Sequence, residues 1–401
     1  MNILVINCGS STIKFQLIDV ENNDQVIAKG RCDMVGYKES NIIYNNVRDG
    51  FKINKEIDMP THKEGMQVLL DTLTDKEHGV ISSLDEIYAI GHRIVHGGEK
   101  FKSSVLITDD VLKDIEELSS LAPLHNPGAV MGIKAIMEVA PEKKNVGVFD
   151  TAFHQTIPDY NYLYAIDYKY YTNNKIRRYG FHGTSYQYIL GRLEEILCKK
   201  KDDINAIVCH LGSGASICAI KGGKSYDTSM GFTPLEGLVM ETRCGDLDPS
   251  IVVRLMKDEN LTPDEVETIL NKKSGRLGIC GIGDQRQLIQ AEQSGNEMAK
   301  LARKIQTHRN KKYIGSYIAE LNRVDAIVFT GGNGENNAIE REDVMSDLEC
   351  LGIELDKEIN NVSSGKEAKI SKDSSKIGIY VIPTNEELEI AKQTREIVSK
   401  C

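Results

Sequence analysis

The sequence predicts an α/β protein built as two related halves around a central cleft, and three observations carry that reading. The first is a strand, turn and strand at the start. In Ile3 to Asp19, ILVINCGSSTIKFQLID, an apolar run ends at Asn7, Gly9-Ser10-Ser11-Thr12 turns the chain, and Ile13, Phe15 and Leu17 alternate with polar residues. The second is the recurrence of this pattern about half the chain later. Ala206 to Gly222, AIVCHLGSGASICAIKG, has His210 in the place of Asn7 and Gly212-Ser213-Gly214-Ala215-Ser216 as its turn. The third is length, because 401 residues exceed what one core usually organises, and two domains of about 150 to 220 residues are expected.

Such turns suit phosphate. Glycine admits close backbone approach, outward N–H groups and hydroxyls donate, and Lys14 adds a positive charge. One Gly-Ser turn is most often only a turn. Two in corresponding places suggest a duplicated unit whose cleft holds a phosphoryl donor and an acceptor face to face.

Composition narrows the class. With 40% hydrophobic and 27% charged residues the chain reads as ordinary globular, nothing is apolar for long enough to cross a membrane, and no basic leader precedes the first strand, so a cytoplasmic protein is expected. A net charge of -10 argues against nucleic acid or an anionic membrane as main partner. The nine cysteines, Cys401 included, are scattered singly without CxxC pairs, which fits reduced thiols better than disulfides or zinc.

Between the first hairpin and residue 80, strands near Gln25–Cys32 and Gly50–Ile57 and a helix near His62–Leu73 carry no evident chemistry. Glu86 to Gly98, EIYAIGHRIVHGG, runs a strand into a loop where Arg93 is an anion contact or a surface ion-pair partner. In SSLAPLHNP, Ser119 to Pro127, two prolines restrain His125, which is an oxyanion donor or part of a rigid loop. Asp150 ends the apolar strand of NVGVFDTAFHQTIP. There a carboxylate faces the ligand crevice, to hold a metal or take a proton, or caps the next segment.

Ile189, Leu193, Ile196 and Leu197 form a helical stripe capped by Thr184 or Ser185. His182 precedes it, at an anion-favouring helix start or packed in the core. Tyr226 to Pro249 is too rich in glycine, proline and acid for a regular element, and reads as a binding loop. Its Arg243 is neutralised by Glu241, Asp246 or Asp248, or is held ready for a phosphoryl group. Ser274 to Arg286 is a glycine-rich loop before a helix, and Val324 to Asn337 runs a buried strand into Gly331-Gly332-Asn333-Gly334, suited to a nucleotide. Thr384 caps the last helix with Glu387 in capping-box register. Glu386 satisfies the helix dipole or contacts a metal.

Taken together, NCGSSTIK, GHRIVHGG, LAPLHNP, FDTAFHQTIP, RYGFHGTS, CHLGSGAS, DTSMGFTPLEGLV, TRCGDLDP, NKKSG, FTGGNGEN and PTNEEL resemble, from end to end, the acetate kinases of the acetokinase family. That family belongs to the superfamily of actin, sugar kinases and Hsp70 chaperones. The resemblance implies actin-like (ribonuclease H-like) domains, which with the two hairpins divide the chain into residues 1–150 plus 385–401 and a nucleotide-binding domain of 151–384. It implies a homodimer and reversible phosphoryl transfer from ATP to acetate, giving acetyl phosphate and ADP, with Mg2+ or, in its place, Mn2+.

Carried over by position, the resemblance implies Asn7 and Glu386 at the metal, and Ser10, Thr12 and Lys14 near the phosphates. Arg93 and Arg243 would bind acetate and the transferring group, Asp150 would be the catalytic acid or base, and His125 and His182 would steady the transition state. The nucleotide would lie on His210, Leu211, Gly212, Ser213 and Gly214, on Asp284, Gln285 and Arg286, and on Gly332, Asn333, Gly334, Glu335 and Asn336. Val95, Leu124, Phe181 and Pro234 would form an acyl pocket sized for a methyl group. Asp150 has little work as a base, because acetate is already ionised at neutral pH.

The departures from the family pattern cluster on the nucleotide side: Ser213 for Asn, Asn333 for Ile, Gln285 for an apolar residue, Glu241 for Gly, a loop before Asp284 shorter by one residue, and Tyr186 for His. Two other readings stay open: an acyl kinase for propionate or butyrate, and a non-catalytic or weakly active binding protein on the same scaffold, with an altered phosphoryl donor.

Overall fold

Residues 1–400 are described by the computed structural model, and Cys401 lies outside them. The chain divides into two units, Met1–Phe153 with Asn385–Cys401, and His154–Thr384. The first holds an eight-stranded sheet of β1 (Asn2–Cys8), β2 (Thr12–Asp19), β3 (Gln25–Asp33), β4 (Asn41–Asn46), β5 (Lys52–Glu56), β6 (Ile87–Ile94), β7 (Val105–Leu106) and β8 (Lys144–Phe149). Its strand order is β5-β4-β3-β2-β1-β6-β8-β7. The second holds β9 (Ala206–Leu211), β10 (Ala215–Lys221), β11 (Lys224–Thr228), β12 (Ala326–Thr330), β13 (Ala368–Lys369) and β14 (Gly378–Val381), ordered β11-β10-β9-β12-β14-β13.

The duplication is therefore topological. β1 pairs antiparallel with β2 and parallel with β6, as β9 pairs antiparallel with β10 and parallel with β12. In both sheets a third antiparallel strand lies beyond on one side, and a further parallel strand on the other. Asn7 pairs with Lys14, and His210 with Ser216.

Alternation explains the first core. Leu4 and Ile6 of β1, with Ile13, Phe15 and Leu17 of β2, face the helices His62–Leu73 and Asn126–Val139, where Met66, Leu69 and Ile136 meet them. Each such side chain contributes about 1.5–3 kcal/mol by leaving water. On the other face the helix Glu386–Val398 packs on β1, β6 and β8, and a Cβ on Gly91 would stand 2.3 Å from Thr394 Oγ1. In the second unit β12 is buried along its whole length, as a central strand covered on both faces should be.

The eight cysteines among the described residues are all free thiols. No helix is long and apolar enough to cross a membrane among the described residues.

Candidate active site

In the first unit the hairpin tip is closed by the Gly9 amide donating to the Thr12 carbonyl at 2.8 Å. Ser10, Thr12 and Lys14 succeed one another along it, Ser10 and Lys14 exposed. The tip is braced from beneath. His62 Nε2 lies 2.9 Å from the Gly9 carbonyl oxygen, and a Cβ on Gly128 would come within 2.7 Å of the Gly9 carbonyl carbon. The helix Asn126–Val139 packs on the tip because residue 128 is glycine, and His125, exposed, is the N-cap of that helix.

Arg93 is the penultimate residue of β6, and Asp150 comes directly after β8, the neighbouring strand. Arg93 donates from Nε to Asp150 Oδ1 (3.3 Å) and Oδ2 (3.1 Å), and from Nη2 to Oδ2 (2.6 Å). Asp150 is 1% exposed, so both its oxygens are engaged out of water. Asp150, and behind it Glu386 and Glu387, push the Arg93 guanidinium above its ordinary value against the opposing effect of burial. Arg93 therefore makes the ion pair of its second reading, with a buried carboxylate, while its own side chain keeps 23% exposure and the anion contact stays open to it.

The loop after β6 is fixed by Asn126, which accepts from the His96 amide (3.1 Å) and donates to the His96 carbonyl (2.9 Å), and by Thr151, which accepts from the Gly97 amide (2.9 Å). Val95 is half-buried in this loop, and Leu124 is 70% exposed. Within β6 itself, His92 bonds Asn145 at 2.8 Å, and burial pushes its imidazole down to about 4. It is a packed histidine.

In the second unit His182 and His210 are stacked, ring centroids 4.2 Å apart. His182 Nδ1 lies 2.8 Å from Ser216 Oγ, which Tyr186 Oη also meets. The cap expected at Thr184 or Ser185 is instead His182 itself, at φ +59°, in the left-handed region that a non-glycine residue adopts at a cost of about 1–3 kcal/mol. Ser185 cannot cap, because its hydroxyl lies against His210 Nδ1 (2.9 Å) and Thr384 Oγ1 (2.8 Å). Thr384 fails as a cap for the same reason, its hydroxyl lying against Ser185 Oγ, while its amide donates to Glu335 at 3.0 Å. Asn385 caps the last helix by accepting from Leu388 N, which leaves Glu387 out of capping-box register.

Arg243 stands over the second hairpin tip, its guanidinium 3.6–3.9 Å from where a Gly214 Cβ would be. It donates to the Pro234 carbonyl at 2.9 Å and to Met240 Sδ at 3.6 Å, and among the described residues it has no carboxylate partner. Asp246 is taken by Arg309, Tyr313 and the Gly237 amide, and Asp248 by the Ser250 amide. Burial alone pushes Arg243 below its ordinary value. A desolvated, unpaired guanidinium favours an incoming anion.

The expected nucleotide residues divide. Leu211 is buried beneath the tip and Ser213 exposed on it. Asn333 reaches the Gly212 carbonyl at 3.5 Å, and the Glu241 amide donates to the Ser213 carbonyl at 3.2 Å. Gly331 to Asn336 form a short helix rather than an open turn. Within it Gly332 is exposed, Gly334 buried, and Asn336 donates to the Gly332 carbonyl. Glu335 is held inside the fold by the amides of Gly331 and Thr384.

Asp284 caps its own helix through Arg286 N and Gln287 N, and Arg286 is 91% exposed. Gln285 turns inward, 3% exposed, with neither amide atom partnered. Glu241 packs against Gly283, where a Cβ would meet its Cγ at 2.8 Å. Three of the departures, Ser213, Glu241 and Asn333, therefore adjoin one hairpin tip. Phe181 is buried, its carbonyl accepting from His154 Nε2.

Sequence reasoning named Ser216, Ser185 and Pro234 but missed that the first two hold His182 and His210 and that the Pro234 carbonyl holds Arg243. Only Tyr186, noted as a departure, pointed towards the first of these. Among the described residues no group of three or more His, Cys, Asp or Glu could form a closed metal cage. The oxygen donors Asn7 and Glu386 are nonetheless compatible with Mg2+, which takes one or two carboxylates and keeps waters or phosphates for the rest.

The model of the Acetokinase family matches residues 2–392. An acetate kinase of Thermotoga maritima is 53% identical over 100% of this chain and 99% of its own length. The crystal structure of Porphyromonas gingivalis acetate kinase superposes with a TM-score of 0.95 at 45% identity, covering 99% of both chains. That of a propionate kinase from Francisella tularensis does so with 0.91 at 43%, also covering 99% of both. The chain belongs to the acetokinase family and is a phosphotransferase whose acceptor is a carboxyl group.

Proposed function

We propose that the chain transfers the terminal phosphoryl group of ATP reversibly to acetate, giving acetyl phosphate and ADP, with Asn7 and Glu386 holding Mg2+ beside the phosphates. When bound, the metal neutralises charge on the phosphate oxygens. The observation that carries the reading is the Arg93–Asp150 pair at adjacent strand ends. A guanidinium oriented by a buried carboxylate retains Nη1 to bind an acyl carboxylate, and Asp150 works by fixing Arg93 rather than by moving a proton.

Arg243, unpaired over Gly214, would take the equatorial oxygens of the transferring group. His182, held through Ser216, and His125 would donate to the same oxygens. Val95, Leu124, Phe181 and Pro234 would admit a methyl group. Ser10, Thr12, Lys14 and the tip from His210 to Gly214 would hold phosphates, and Asp284 to Arg286 with Gly332 to Asn336 the nucleoside.

The protein would act in the cytoplasm as a homodimer. Tyr160, Ile166, Tyr168 and Tyr170, between 42% and 70% exposed, suit the second copy's face, since aromatic residues concentrate at interfaces.

The test is acyl hydroxamate formation with acetate, propionate and butyrate as acceptors and ATP, GTP and pyrophosphate as donors. Acetate with ATP should give the highest kcat/KM. Faster turnover of propionate would favour the propionate reading, for which the Francisella tularensis neighbour is the reason.

A further inference from the structure

The face of the first sheet opposite Leu4 and Ile13 carries a groove of about 800 Å³ lined by β1 to β5 and, at one rim, Glu387; it runs on from Asn7 and Lys14 of the candidate active site, and any ligand assigned to it rests on that reading of the site. Strand register sets its charges. Lys14 on β2 stands directly opposite Arg31 on β3. In the next row Gln16, Lys29, Asn45 and Lys52 stand opposite one another from β2 to β5. Four cations thus share two adjacent rows, with amides between them and no carboxylate in either row.

Arg31 is paired with Asp33 at 2.6 Å. Lys14, Lys29 and Lys52 are exposed and have no carboxylate within ion-pair distance among the described residues. Like charges opposite one another across a ladder are destabilising. Lys14, Lys29 and Lys52 thus form an uncompensated patch in a chain of net charge -10, and a bound anion would relieve it.

We propose that this groove is a binding site for a short linear chain of phosphate groups. Strands are about 4.8 Å apart, so the flexible stems of Lys29 and Lys52, two strands apart, can close their ammonium groups on one polyanion while the Gln16 and Asn45 amides of the same row donate beside them. The uncompensated cations are lysines, point charges suited to phosphate, whereas planar carboxylates favour the arginine fork, here occupied by Asp33. Nucleic acid fits poorly, since no aromatic ring in the two rows offers a base a stacking surface.

The probe is inorganic triphosphate, titrated calorimetrically into the full chain saturated with ATP and without acetate, so that the nucleotide's own phosphate site is filled. Wild type should bind, and Lys29→Ala/Lys52→Ala should weaken binding at least tenfold. Arg243→Ala, and the equally charged control Lys257→Ala/Lys272→Ala, should bind as wild type does. The proposal is overturned if wild type does not bind, if the groove variant binds as tightly, if the control loses as much, or if citrate binds as well as triphosphate. Loss only in Arg243→Ala would put the ligand at the candidate active site instead.

Discussion

Asp150 gives both of its carboxylate oxygens to Arg93, through bonds of 2.6, 3.1 and 3.3 Å, from a side chain 1% exposed. The two therefore form one unit. Removing the arginine takes the paired cation away from a buried carboxylate, a change that costs about 3–5 kcal/mol of stability in comparable pairs.

Their catalytic effects should accordingly not add. Arg93→Ala and Asp150→Asn should each lower kcat/KM by roughly 10²–10³, and the double variant should be no more than about tenfold worse than the poorer single one. Steady-state kinetics on the three variants measure this. Multiplicative losses would mean that Asp150 has a role independent of Arg93.

On the nucleotide side, Asn333 presents an amide whose nearest partner is a long 3.5 Å contact to the Gly212 carbonyl, and Ser213 has a shorter reach than asparagine. Asn333→Ile and Ser213→Asn should each lower KM for ATP by roughly three- to tenfold, as about 1 kcal/mol of contact is regained, with KM for acetate unchanged. Unchanged ATP values in both variants would make the departures neutral.

Gln285 is 3% exposed with neither amide atom bonded, beside the apolar cluster of Leu288, Ala299 and Ala302. Gln285→Met should stabilise the protein by about 1–2 kcal/mol through loss of this desolvation penalty. Its melting temperature should rise by roughly 2–8 °C. A fall would mean that the amide is satisfied in solution.

Glu340 predicts a pH dependence. Burial raises its carboxyl from 4.5 to about 7, against Arg276, Arg303 and Arg341, while Gln306 Nε2 donates to it at 2.8 Å. The folded state thus binds the proton more tightly than the unfolded chain, so this contribution is full below 4.5 and is lost as pH rises towards 7. Melting temperatures between pH 5 and 8 should fall less steeply in Glu340→Gln than in wild type. Parallel slopes would contradict the assignment.

Strands, hairpins and the duplication were legible because alternation and turn chemistry are local. The register bringing Arg93 to Asp150 was not, since it depends on β6 and β8 pairing across 57 residues. The caps were misplaced for a tertiary reason: Ser185 and Thr384 are good capping residues, but their hydroxyls are engaged with each other. Arg243 stayed undecided in the sequence because Asp246 lies three positions away; Arg309 and Tyr313, far along the chain, hold that carboxylate instead.

The most direct test is acetyl hydroxamate formation with ATP and acetate by wild type and Arg243→Ala, read beside their melting temperatures. Because Arg243, among the described residues, bonds only a carbonyl and a thioether, the account predicts robust wild-type turnover. It also predicts a loss of roughly 10²–10³ in kcat/KM for the variant, with a melting temperature within a few degrees of wild type. A variant that melts much earlier while its folded fraction keeps wild-type activity would contradict it.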